Sequence, residues 1–209
     1  MFKLRIDTSE KWTEAVLADF DRFLNDHAAA ERKASGMAMS MALQYKDKPD
    51  LVSAMIDLAI EELAHFREVV KLMRERGIEM LPDIKDKYVN ALRNEIRSDA
   101  RNGSTKNTGR GDVERSRNKN AIDRLVVASI IEARGAERFG LIALALPEEE
   151  TKLKTFYQTI TDSEDKHRNL FLDLAHQYFN PAEVDQRLDY LLDIEAKIVQ
   201  SLPFRAYLH

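Results

Sequence analysis

Apolar residues recur at steps of three and four in four long segments of this chain, the signature of amphipathic helices that bury one face. The first segment runs roughly from Ser9 to Tyr45, with Phe20, Phe23, His27, Glu31, Ala34, Ala38, Met41 and Tyr45 on one side. The second starts near Pro49-Asp50 and ends at Gly77, a residue suited to the left-handed turn that stops a helix. Its seam reads Leu51, Met55, Leu58, Glu62, His65, Val69 and Leu72. The third starts near Asn118 and ends before Pro147, aligning Leu125, Ala128, Glu132, Gly135, Phe139, Ile142 and Leu146. The fourth is expected to start at Pro147, which suits the first helical position, with Glu148 to Glu150 favourable at the positive end of the helix. Its seam reads Leu153, Tyr157, Ile160, Glu164, His167, Phe171, Leu174 and Tyr178, and Asn180-Pro181 stops it. A shorter fifth helix is expected from Ala182 to Gln200.

The second and third segments are far apart in the chain. Ile84, Tyr88, Leu92 and Ile96 recur every four residues there and predict a short helix. From Arg101 to Lys119 the periodicity stops and Gly, Asn, Ser and Arg dominate, which predicts a long loop. Two helices, a long crossover and two more helices is the connectivity of a ferritin-like four-helix bundle. The expected architecture is therefore all-α: one ferritin-like domain over residues 1–209, a crossover insertion at about 78–117, and a C-terminal fifth helix.

Composition narrows the class. The 7 Gly and 5 Pro are scarce where the apolar pattern is strongest, and 209 residues are enough for one sizeable core. There is no Cys, which excludes disulfides, Cys-held zinc, iron–sulfur clusters and thiolate chemistry. The opening MFKLRIDTSEKW lacks the apolar core of a secretory signal, and no run of about 18 apolar residues is present. A soluble cytoplasmic protein is the expectation. The net charge of −4 argues against general nucleic-acid binding, but the distribution is uneven. From Lys85 to Arg124 there are 11 Lys or Arg against 6 Asp or Glu. Arg101, Lys106, Arg110, Arg115, Arg117 and Lys119 form a basic stretch, either a solvated crossover or a phosphate-binding segment.

Six polar residues interrupt the apolar seams, and they do so twice in the same way. Glu31 is followed 31 positions later by Glu62-Leu-Ala-His65, and Glu132 is followed 32 positions later by Glu164-Asp-Lys-His167. Residues three apart on a helix face the same point, so each Glu-x-x-His pair converges. Four buried carboxylates without partners would repel and take up protons, each at a cost of several kcal/mol. Two divalent cations neutralise them, and carboxylate with imidazole suits iron or manganese. In that geometry Glu31 and Glu132 are terminal ligands, Glu62 and Glu164 bridge, and His65 and His167 each take one ion. The bland alternative puts these glutamates on the surface or against core arginines. His27, one turn before Glu31, is a buried or surface histidine or a hydrogen-bond donor to the site. Tyr157 and Thr161 point the same way as Glu164. Gly36 and Gly135 either leave space near the site or let helices approach. Met37, Met39 and Met41 are expected in the core, and His176 and His209 have no carboxylate at ligand spacing.

The run Ile131-Glu132-Ala133-Arg134-Gly135-Ala136-Glu137-Arg138-Phe139 resembles the Ile-Glu-Ala-Arg-x-x-Glu-Arg-Phe segment of the tRNA 2-methylthio-N(6)-isopentenyladenosine hydroxylases, the MiaE family. Tyr88-Val89-x-Ala91-Leu92-Arg93 and Ser163-Glu164-x-x-His167 are similar as well. Gly135-Ala136 departs from the Ser-Cys pair common in that family. The resemblance implies a dioxygen-dependent monooxygenase with two iron ions on Glu31, Glu62, His65, Glu132, Glu164 and His167. It implies a hypermodified adenosine of tRNA as substrate, the basic crossover as a tRNA contact, and a separate reductase as electron donor. Two other readings share the ligand set: an iron-storage or ferroxidase protein, and an oxygenase acting on a small apolar substrate.

Overall fold

The computed structural model describes residues 2–102 and 110–209, with only the backbone described at 99–102 and 110–112. The described residues form helices α1 (Glu10–Ala18), α2 (Phe20–Gln44), α3 (Pro49–Glu75), α4 (Lys87–Asn102), α5 (Arg110–Ala145), α6 (Thr151–Tyr178) and α7 (Pro181–Ser201), and no strand. The expected first helix is two, because the chain bends at Asp19 (φ −141°, ψ 63°). The Asp19 carboxylate accepts from the Arg22 amide and restarts the helical ladder. The bend lets Trp12 pack on Phe23 and donate to the Tyr207 carbonyl at 2.9 Å.

Helix α3 starts with Pro49 at its first turn and stops where expected. Gly77 takes φ 70°, and its neighbour Ile78 donates to the Met73 carbonyl at 2.8 Å, closing the last turn. Two expectations need correction. Pro147 lies in a turn closed by Glu150 N–H to the Pro147 carbonyl, so α6 starts at Thr151 instead. The predicted loop from Arg101 to Lys119 is helical at both ends, and α5 begins at Arg110 rather than near Asn118. Among the described side chains of its opening turns, Val113, Glu114, Arg115 and Lys119 are all exposed, so no apolar period marks them. The Arg117 guanidinium instead pairs with Asp47 and lies over the Tyr45 ring.

Helices α2 and α3 form one close-packed hairpin, α5 and α6 the other. The hairpins come closest where α3 meets α6; α2 and α5 lie farther apart and touch through side chains, His27 on Phe139 and Arg124 on Gln44. Helix α4 crosses toward α5 and α7, and α7 braces α5 from outside. The apolar core is split. Met41, Met55, Leu125 and Phe171 belong to one cluster at one end; Phe23, Phe139, Tyr157 and Ile160 belong to another, with Leu24 and Val69 in a small third. The polar seam residues lie in the layer between.

A second buried polar element ties α5 to α7. Arg134 and Glu195 are both fully buried and pair through Nε–Oε1 at 2.8 Å and Nη2–Oε2 at 3.0 Å. Tyr88 of α4 donates to the same Glu195 at 3.1 Å, and Arg134 also reaches the Ile6 carbonyl and Glu137. Removing one partner strands a buried charge, so Arg134→Met is expected to lower stability by about 3–5 kcal/mol, read by denaturant unfolding. A loss below about 1 kcal/mol would show that the pair is not needed to hold α7 and α4 on the bundle.

Candidate metal centre

The structure brings all six seam residues together. Glu31, Glu62, His65 and Glu164 present one ligand atom each within 4.8 Å of one another, and so do Glu62, Glu132, Glu164 and His167. Glu62 and Glu164 belong to both groups, whereas Glu31 and Glu132 belong to one each. All are buried except His65, which keeps a partly exposed edge. His65 Nδ1 stands 3.4 Å from Glu62 and 3.8 Å from Glu31; His167 Nδ1 stands 3.0 Å from Glu62 and 4.0 Å from Glu164.

These approaches leave the atoms unsatisfied. Both Glu62 oxygens, Nδ1 of His65 and both ring nitrogens of His167 are buried without a hydrogen bond of ordinary geometry. Burial pushes the carboxyl groups of Glu31 and Glu164 well above the usual range, and neighbouring carboxylates add to it. Burial raises Glu132 as well. Burial also opposes ionisation of Glu62, but His167 and His65 overcome it and hold Glu62 low. Burial disfavours a charged His167, yet Glu62 and its neighbours raise it to about 9. A mixed donor set of four carboxylates and two imidazoles facing common points, with both Glu62 oxygens and both Nδ1 atoms unsatisfied, fits two transition-metal cations.

His27 is a hydrogen-bonded buried histidine that serves the site. Its Nε2 lies 2.6 Å from Glu31 Oε1 and its Nδ1 lies 3.3 Å from the Tyr157 hydroxyl. Burial, then the charge of His65, drive its pKa down to about 3, so the ring is neutral. A neutral ring satisfies both contacts when Tyr157 donates to Nδ1 and Nε2–H donates to Glu31, which fixes one carboxylate oxygen. Phe23 and Phe139 pack on this pair. Thr161 instead donates back to the Tyr157 carbonyl.

A cavity of about 800 Å³ opens from the cluster into the cleft between α2 and α5, under the crossover. Its inner end is Glu31, Glu62, Glu132, Gly135 and Glu164; its walls include Ala34, Met37, Val127, Ala128, Ile131 and Phe139. Lys33, Lys85, Arg93, Arg97 and Arg124 line it too, the first four exposed. Sequence reasoning did not single out these cations. Arg93 and Arg97 sit one helical turn apart on α4, which is the signal that was there to read.

Other expectations divide. A Cβ at Gly135 would sit 3.7 Å from Glu164 Oε2, so this glycine borders the site; Gly36 is exposed and borders nothing. Of the three methionines only Met41 is fully buried, and Met39 is exposed. His176 and His209 do have carboxylate partners, Asp185 and Asp86, supplied by other elements. Of the basic stretch, Lys106 lies outside the described residues, as do the side chains of Arg101 and Arg110. Arg115, Arg117 and Lys119 are exposed on the opening turns of α5 and do not line the cavity. Among the described residues no helix is long and apolar enough to cross a membrane.

Comparison with known proteins places this geometry in context. The family described as tRNA-(MS[2]IO[6]A)-hydroxylase (MiaE) matches residues 2–107 and 107–209. A tRNA 2-(methylsulfanyl)-N(6)-isopentenyladenosine(37) hydroxylase of Pseudomonas putida is 33% identical over 93% of this chain and 85% of its own. The enzyme of the same name from Salmonella typhimurium is 28% identical over 84% of this chain, which spans 57% of that relative. Among solved structures, a Synechococcus protein described as having aldehyde deformylating oxygenase activity superposes with a TM-score of 0.84 at 30% identity, covering 100% of this chain and 96% of its own.

The cluster makes two predictions. Glu62→Ala removes a residue common to both groups and is expected to abolish binding of both ions, measured by metal analysis after dialysis; full loading in that variant would refute its shared role. Metal uptake must displace the protons held on His167 and the raised carboxyls. Apparent affinity is therefore expected to rise with pH up to about 9, the value reached by His167. Calorimetry in buffers of different ionisation enthalpy reads the released protons directly, and uptake without proton release would contradict it.

Proposed function

This chain belongs to the MiaE family, and from that premise we propose that its six-residue cluster would hold two iron ions, which would supply the dioxygen activation for hydroxylating an isopentenyl group. The chain is a hydroxylase of the isopentenyl side chain of hypermodified adenosine in tRNA. One observation carries the reading: a single cavity joins the carboxylate–histidine cluster, an apolar passage and a cationic rim. Those three linings match the three parts of the substrate.

Bound iron supplies the dioxygen activation that insertion into an unactivated C–H bond requires. The chain's own residues do the rest. Ala34, Met37, Val127, Ala128 and Ile131 surround the prenyl group, exclude water and hold it end-on toward Glu31, Glu132 and Glu164. The base must leave its stack to place the prenyl group there. Lys33, Lys85, Arg93 and Arg97 are positioned to bind the phosphates on either side of it. Tyr157 and His27 hold Glu31 in one orientation. Hydroxylation also consumes two electrons and two protons per dioxygen, and a separate reductase is the expected donor, since the chain has no Cys to hold an iron–sulfur cluster.

The Synechococcus protein favours a second reading, an oxygenase for a small apolar substrate, because the fold and much of the apolar passage would serve it equally. The cationic rim separates the two. Arg93→Glu combined with Arg97→Glu is expected to weaken tRNA binding by about ten-fold or more and flatten its salt dependence, with iron content unchanged. Unaltered tRNA affinity would favour the small substrate. In cells lacking the protein, tRNA nucleosides are expected to retain isopentenyl adenosine and lose the hydroxylated form, and re-expression restores it; unchanged nucleosides would refute the assignment.

A further inference from the structure

The two halves of the cluster match in sequence but differ in what stands behind each histidine. Glu61 precedes Glu62 on α3, and Ser163 precedes Glu164 on α6. Glu61 is half exposed and reaches across the α3–α6 contact, where its Oε2 lies 3.3 Å from His167 Nε2, an ion-pair approach without the direction of a hydrogen bond. Its other oxygen accepts from the Ser163 hydroxyl at 2.5 Å. Both residues that precede a shared glutamate therefore support the same histidine: Ser163 orients Glu61, and Glu61 faces the outer nitrogen of His167. His65 has no equivalent. Among the described residues its ion-pair carboxylates are Glu31 and Glu62, and both lie at Nδ1, on the side of the cluster.

We infer that Glu61 is a positioning residue for His167, and that it makes the two metal positions unequal, the one at Glu62, Glu132, Glu164 and His167 filling first and more tightly. The inference rests on the dimetal reading above. A carboxylate behind a ligating imidazole keeps the proton on the far nitrogen, aims the near lone pair at the ion and strengthens it as a donor. Glu61 is suited to this. The Ser163 hydroxyl holds one of its oxygens, which leaves the other facing His167 across the α3–α6 contact. His65 is left to its own rotational freedom at the partly exposed edge of the site.

The test is a titration of the metal-stripped full chain with cobalt(II), followed by visible absorption and calorimetry. Wild type is expected to take up two ions per chain in two steps separated by about ten-fold or more in affinity. Glu61→Gln is expected to weaken the tighter step by about 10–100-fold and merge the two. Ser163→Ala shifts the same step in the same direction by less. Glu68→Gln, on the exposed side of α3, leaves both steps unchanged, and the unfolding midpoint of the metal-free Glu61→Gln protein stays at the wild-type value. Two equal steps in wild type, or a Glu61→Gln titration indistinguishable from it, would overturn this inference and leave the dimetal reading standing. Failure of wild type to bind a second ion would overturn both.

Discussion

Four carboxylates share one layer of an otherwise apolar bundle, and most of the architecture answers to that fact. Leu, Ile or Phe at those seam positions would join the two end cores into one continuous core. Glu31, Glu62, Glu132 and Glu164 instead divide it. The helices gain no hydrophobic stabilisation there and face mutual repulsion, raised proton affinity and orphaned oxygens. Cations at the common points would relieve all three at once. The surroundings are organised to hold the layer still. His27 and Tyr157 pin Glu31, Ser163 and Glu61 face His167, and the Arg134–Glu195 pair ties α5 to α7 from the other side.

Much of this was legible in the chain. The four long seams and the six polar interruptions in them were visible because burial imposes a helical period, and each of the six stands in the shared layer. The Gly77 stop was legible for the same local reason, a backbone angle that favours glycine. Features set by tertiary contact were not. The bend at Asp19 has neither Pro nor Gly; its local sign is only an aspartate able to cap a helix, and it sets Trp12 against the Tyr207 carbonyl, far along the chain. The opening turns of α5 carry no apolar stripe, so period reading gave a loop. Glu61 was hidden by its neighbour: a second glutamate beside a ligand looks like surface charge until the fold sets it against His167.

The hairpins and the crossover divide the site between them. The hairpins supply the cluster and much of the apolar wall. The crossover and α4 bring Lys85, Arg93 and Arg97 over the cleft that opens where α2 and α5 part. A fold shared at a TM-score of 0.84 with a protein described as an aldehyde deformylating oxygenase is consistent with specificity residing in what covers the cleft.

The arrangement of the two atom groups has a further consequence for assembly. Each hairpin contributes three residues to one group and a single glutamate to the other: Glu31, Glu62 and His65 with Glu164, and Glu132, Glu164 and His167 with Glu62. An isolated hairpin is thus a three-pronged claw, and it acquires its fourth prong only when its partner docks in register. The hairpins share the two end cores, and in the polar layer between them the ions would act as rivets, so that docking and metal capture become a single thermodynamic event. Slippage of either hairpin by one helical turn would disarm both positions together, so the doubled motif doubles as a proofreading device for the fold.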